Sequence, residues 1–133
     1  MRKFLLGFAL GLGMGTAAVA ADPVEGIWKT AEGEEGGYLF VRIQECGGAI
    51  CGKIDTAFDK TGKHDPGYEH LGKRMIWDMK PDGEGHYAGG KIWAPDSDKT
   101  YSSKMRLNGG TLTVKGCVMG GLICRGQDWT RVK

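Results

Sequence analysis

Short runs of alternating apolar and polar residues recur along this chain, and glycine-rich turns separate them. After residue 21 none of these runs has the 3.6-residue period of an amphipathic helix. The period is two, the mark of strands with one buried face. Val24 to Thr30 reads as a first strand around Gly26-Ile27-Trp28. Glu32 to Gly37 is a charged turn. Tyr38 to Glu45 puts Leu39, Val41 and Ile43 on one face and Tyr38, Phe40 and Arg42 on the other. Ile50 to Phe58 follows a Gly-Gly turn, and Asp59 to Leu71 is a long polar loop. Lys73 to Lys80 carries Met75, Trp77 and Met79 on one face. Gly85 to Ala94 has Gly89-Gly90 in its middle, which predicts a bulge or a sharp bend. Thr100 to Leu107, Thr111 to Val118 and Arg125 to Val132 complete the set, with Asn108-Gly109-Gly110 as a hairpin turn.

Eight consecutive antiparallel strands are enough to close a small barrel. An open sheet of the same strands would leave two exposed edges. The expected fold is therefore an all-β antiparallel barrel whose first strand pairs with its last. Gly26 and Trp28 at one end, with Trp129 and Arg131 at the other, are the candidate seam. An arginine stacked on a floor tryptophan would add a cation–π contact of about 1 kcal/mol.

The four cysteines fall into two local pairs. Cys46 and Cys51 bracket Gly47-Gly48, and Cys117 and Cys124 bracket Gly120-Gly121. Of the three possible pairings, Cys46–Cys51 with Cys117–Cys124 staples each hairpin across its own turn. Zinc would want C-x2-C spacing with further ligands, and a thioredoxin-like site would want C-x-x-C at a helix start; neither occurs. Loops this short predict roughly 2–2.5 kcal/mol of stabilisation per bridge.

Disulfides require an oxidising compartment, and the start of the chain agrees with one. Met1-Arg2-Lys3 is basic, Phe4 to Val19 is uncharged and rich in Gly and Ala, and small residues follow at Ala18-Val19-Ala20-Ala21. This reads as a secretory leader over residues 1–21, cleaved after Ala20 or Ala21, with one domain over residues 22–133. No Cys at the cleavage point indicates a lipid anchor, and no later segment is apolar enough for a spanning helix. The whole chain has 18 Lys and Arg against 16 Asp and Glu. Arg2 and Lys3 leave with the leader, so the remainder is formally neutral. No basic tract is left to suggest nucleic acid or an anionic membrane surface.

Candidate chemistry is sparse. Phe40, Trp77, Tyr87, Trp93 and Tyr101, with Met75 and Met105, sit on alternating strand positions. They either fill the barrel or line a mouth for one small apolar or amphipathic ligand. His64 and His70 share the long loop with Asp65 and Glu69, yet their spacing matches no metal motif and a solvated loop explains them better. Asp96-Ser97-Asp98 reads as a turn begun by Pro95, with too few ligands for calcium. Ser97, Ser102 and Ser103 lack a G-x-S-x-G elbow or a partner base. Lys53, Arg74, Lys91, Lys104, Arg106 and Arg125 read mostly as outer-face charges, any of which could instead hold an acidic head group. No metal, cofactor or catalytic residue is expected.

Several runs together resemble a known family. They are Gly26-Ile27-Trp28, Ile50-Cys51-Gly52-Lys53-Ile54, Gly89-Gly90-Lys91-Ile92 with Pro95 and Lys99-Thr100-Tyr101, Leu112 to Cys117, and Cys124 to Arg131. In that order they resemble the uncharacterised secreted bacterial family called domain of unknown function 2147. Gly26-x-Trp28 and the terminal Trp129-Thr130-Arg131 are also similar to the structural signature of lipocalins and fatty-acid-binding proteins. The resemblance implies a small lipocalin-like barrel in the periplasm or outside the cell, and it carries no catalytic residue over. The loop Lys63 to His70 departs from the Arg-rich segment of many members. The expected role is a non-enzymatic binding protein. The alternative is a protein–protein interaction module, an inhibitor or assembly factor, that uses the stapled hairpin tips.

Overall fold

The computed structural model describes residues 21–133, so the expected leader lies outside the described residues except for Ala21. Eight strands follow in order: β1 (Gly26–Lys29), β2 (Tyr38–Cys46), β3 (Ala49–Phe58), β4 (Arg74–Pro81), β5 (His86–Ala94), β6 (Lys99–Asn108), β7 (Thr111–Val118) and β8 (Ile123–Arg131). Each is antiparallel to the next, and β8 returns to β1 to close the barrel. The two disulfides join Cys46 to Cys51 and Cys117 to Cys124.

Several irregularities coil the strands, among them slips of the β3–β4 register on both sides of Gly52. The β2–β3 register slips between Phe40 and Val41, where β3 carries an extra residue. Asp78 in β4 adopts a positive φ of 57°. Gly89 in β5 has φ 77°, and the β5–β6 register slips between Tyr87 and Gly90. Beside it, a Cβ on Gly90 would lie 2.7 Å from the Trp77 carbonyl oxygen and 2.9 Å from the Met79 sulfur. The Gly-Gly pair thus supplies both the turn of the backbone and the room for a close strand.

β1 is shorter than the alternation suggested, because the chain before Gly26 turns under the barrel instead of extending it. Asp22, Pro23, Val24 and Glu25 form a floor. The Asp22 carboxylate accepts the Val24 N–H at 2.9 Å and also accepts the Tyr87 hydroxyl. The Trp28 indole donates to the Val24 carbonyl at 2.9 Å. Arg131 lies 4.4 Å above the Trp28 ring and donates to the carbonyls of Glu25 and Pro23. Val24, Trp28, Leu112 and Trp129 are completely buried there, with Ile43, Met79, Tyr87 and Met105 packed around them.

Gly26 sits where the C-terminal residues cross this floor, at φ 144°. A Cβ would stand 2.7 Å from the Arg131 guanidinium and closer still to the Lys133 carbonyl oxygen. Gly26→Ala should therefore cost more than about 2 kcal/mol in urea unfolding. Gly110→Ala, into open space, should stay within about 0.5 kcal/mol.

Burial and the hydrogen bond to Asp22 push the Tyr87 phenol well above its usual ionisation range. The folded state keeps this proton while the unfolded chain loses it near pH ~10. Stability from Tyr87 is thus complete below pH ~10 and declines as pH rises above it. Tyr87→Phe should be about 1 kcal/mol less stable at neutral pH. It should also show a shallower fall in Tm between about pH 9 and 11, and an unchanged slope would refute the assignment.

Candidate functional site

The opposite end of the barrel is not filled. Here β1, β3, β5 and β7 end and β2, β4, β6 and β8 begin. Inward positions carry smaller groups: Thr30, Ala57, Val114 and Gly116 face Leu39, Met75, Ile92 and Tyr101. They form the inner wall of an open cavity of about 1440 Å³, which widens to solvent among the rim loops. That is ample for one small molecule, since ligand pockets run ~300–1,000 Å³. The two buried hydroxyls near this region are satisfied. The Thr30 oxygen accepts the Leu39 N–H at 3.0 Å, and Ser103 donates to the Lys115 carbonyl at 2.7 Å.

Four loops make the rim. The β1–β2 segment from Ala31 to Gly37 forms a strap over the mouth, closed by the Gly33 N–H on the Gly37 carbonyl. The Glu34 N–H donates to the Asp96 carboxylate at 3.1 Å, tying the strap to the β5–β6 turn. In the β3–β4 loop, Asp59 accepts Thr61 and Lys63 N–H groups and the Thr61 hydroxyl. These bonds lower its carboxyl below the usual range, the Thr61 hydroxyl contributing most. Tyr68, farther along this loop, has its phenol raised by burial first and then by Asp96, Glu69 and Asp65. The β7–β8 tip is held by Cys117–Cys124, whose Cα atoms are 4.0 Å apart in directly paired positions.

The residues from 26 to 131 match the family model described as "Uncharacterized protein conserved in bacteria (DUF2147)". The chain belongs to this family. Its barrel is similar to a solved structure described as "Protein HP1028 from the human pathogen Helicobacter pylori belongs to the lipocalin family". That likeness has a TM-score of 0.66 at 20% identity and covers 83% of each chain, so it concerns the fold. No curated protein sequence matches the chain.

Of the five aromatics expected to line the mouth of this DUF2147 barrel, Tyr101 does so. Tyr87 points inward but lies in the filled floor, bonded to Asp22. The other three are corrected by the structure. Phe40 is on the outer face, 4.6 Å from Phe58, because Leu39, Val41 and Ile43 take the inner one. Trp77 is also outside, beneath Arg74 at 4.6 Å: the β3–β4 register slips between Gly52 and Lys53, so Met75 and Ile76 are both buried and Trp77 turns out, and the kink at Asp78 then brings Met79 back in. Trp93 alternates with Ile92 and Ala94, which line the cavity, and so faces away from it. It is nonetheless buried, under His70 at 4.9 Å and Lys73 at 3.7 Å, with its indole donating to Asp98. His64 sits against Phe58 instead, 6.0 Å away, so the two loop histidines serve different aromatic contacts. Among the described residues no group of three or more His, Cys, Asp or Glu is arranged to hold a metal ion.

Met75, named with the aromatic set, is on the wall; the wall residues that the pattern did not single out are Ala57, Ile92 and Val114. Alternation carried past the bulge at Gly89 would have found Ile92. Nothing in the sequence distinguishes the small Ala57 as wall from Ala57 as filler.

Among the described residues, one hydrogen bond ties the strap to another rim loop, from the Glu34 N–H to Asp96. Asp96→Ala should cost no more than about 1 kcal/mol in global stability. Hydrogen exchange at the Glu34 amide should quicken by about fivefold or more, the equivalent of one such bond. Unchanged exchange at Glu34 would mean that the strap is held by other contacts.

Proposed function

We propose that this protein is an exported, non-enzymatic binding protein that holds one small apolar or amphipathic molecule in the barrel mouth. The observation that carries this reading is the contrast between the two ends. The floor is packed shut by Trp28, Trp129 and Leu112, while the mouth leaves about 1440 Å³ open between an apolar inner wall and charged rim loops. A domain that had only to be stable would gain by closing this end as it closes the floor, taking the apolar inner wall out of water. The lipocalin-family description of the similar H. pylori structure supports the same reading. Export is supported by the leader-like residues 1–21 and by the two disulfides. Cleavage after Ala20 or Ala21 would leave the Asp22 anchor of the floor intact.

A second reading has one observation of its own. The tip of the stapled β7–β8 hairpin exposes Met119 at 67%, Leu122 at 84% and Ile123 at 57%. Exposed apolar groups on a rigid turn suit a protein partner. The Cys46–Cys51 turn offers only Gly47, Gly48 and Ala49.

Native mass spectrometry of protein taken from its own envelope without detergent tests the first reading. A small-molecule adduct that leaves on denaturation is expected. Rebinding of that molecule should weaken about five- to tenfold in Tyr101→Ala, while folded Trp77→Ala binds as wild type. A bare mass together with a stoichiometric protein partner, released by Leu122→Ser with Ile123→Ser, would overturn it in favour of the second.

A further inference from the structure

The chemical class of the ligand follows from the charges around the opening. This step rests on the binding reading above, in which the site is the apolar cavity; the rim decides only what sits at its entrance. Glu32, Glu34 and Glu35 come from the strap, Asp96 from the β5–β6 turn, and Asp59, Asp65 and Glu69 from the β3–β4 loop. Against these seven carboxylates the lining offers two fixed cations, Lys60 and Arg125. Among the described residues, no Lys or Arg nitrogen lies within ion-pair distance of any of the seven; Glu69 has only His70, at 3.5 Å. Two other lysines of this end turn onto outer aromatic faces instead, Lys29 over Tyr38 and Lys73 over Trp93.

The carboxylates of different loops also converge. Asp96 touches the strap through the Glu34 N–H and acts on Tyr68 together with Asp65 and Glu69. A cleft lined by one sign of charge with low-dielectric walls focuses that field on whatever enters. Tyr101 and Tyr68 place aromatic rings in the same lining, and ring faces attract cations.

We infer that the barrel selects cationic amphiphiles, molecules with an apolar body for the Met75–Ile92–Tyr101 wall and an ammonium-type head group for the carboxylate rim. A fatty-acid-like anion of the same length would meet the rim's repulsion, with Arg125 its single nearby cation on the strand walls.

Displacement of a neutral fluorescent reporter, N-phenyl-1-naphthylamine, by dodecyltrimethylammonium and by dodecanoate at about pH 7 tests this. Both competitors have twelve-carbon chains and are used below micelle formation. The ammonium should displace the reporter at least about tenfold more tightly at low salt, and the ratio should fall towards one near ~1 M NaCl, where the Debye length is ~3 Å. Glu32→Gln with Glu35→Gln, and separately Asp96→Asn, should each lower that ratio severalfold. Equal binding of the two, or tighter dodecanoate, would overturn the charge selection and leave the binding reading standing. Failure of the folded protein to bind reporter and both competitors would overturn the binding reading, and the selection with it.

Discussion

The short seam between β1 and β8 is the constraint on which the barrel depends. Only Trp28 opposite Arg131 and Lys29 opposite Thr130 are in register there. Two ladder pairs would be a weak closure alone. They hold because the same residues also form the floor. Arg131 stacks on Trp28 and donates to two backbone carbonyls of the N-terminal segment, and Ile27 exchanges hydrogen bonds with Val132 and Lys133. Closure, plug and N-terminal anchor are thus one network. Charge-assisted bonds of this kind contribute more than neutral ones, and the buried Trp28 shields their inner side. Losing the seam would expose the edges of both strands at once.

Placing all of that at one end determines what the other end can be. β1 stops at Lys29, so above the seam β8 runs on from Asp128 back to Ile123 without a β1 partner. The strap from Ala31 to Gly37 instead crosses toward Lys60, Phe58 and Asp96 and, among the described residues, is moored to the β5–β6 turn by one N–H, that of Glu34 to Asp96. The floor is therefore a tightly bonded unit and the mouth a loosely tied one. Local opening free energy falls from one to the other, as expected where a molecule must enter and leave. The Cys117–Cys124 bridge keeps the β7–β8 wall of the mouth from fraying where the strand pairing to β1 has ended.

Much of this was legible before the structure. Period-two alternation located every strand to within a few residues, and the Gly-Gly and Asn-Gly turns separated them. The local cysteine spacing gave both disulfides. The sidedness of particular residues was less legible, for a definite reason. A strand's inward set flips at each inserted residue. The slip between Gly52 and Lys53 turns Trp77 out, and Asp78, a non-glycine residue at positive φ with no composition signal to announce it, brings Met79 back in. Gly89 was read as a bulge, but its consequence, placing Tyr87 and Trp93 on opposite faces although they are six residues apart, requires carrying the phase through it. Strand count and order survive such slips; a list of lining residues does not.

The rim shows a different limit of sequence reading. Glu32 to Gly37 has the composition of any solvated turn, and Asp96-Ser97-Asp98 that of any type I turn. Sixty-two residues separate Glu34 from Asp96, and only barrel closure brings them within one hydrogen bond. Individually these carboxylates are what surfaces usually carry. Their physical effect arises from convergence, since the potentials of like charges add at one opening and reach farthest at low salt. Residues 22–133 are formally neutral, yet they can thus present a negative opening, because few of their lysines and arginines stand at it and others turn onto outer aromatic rings. Overall charge balance gives no sign of a nucleic-acid surface, yet it conceals the local asymmetry that would decide which end of an amphiphile stays at the mouth.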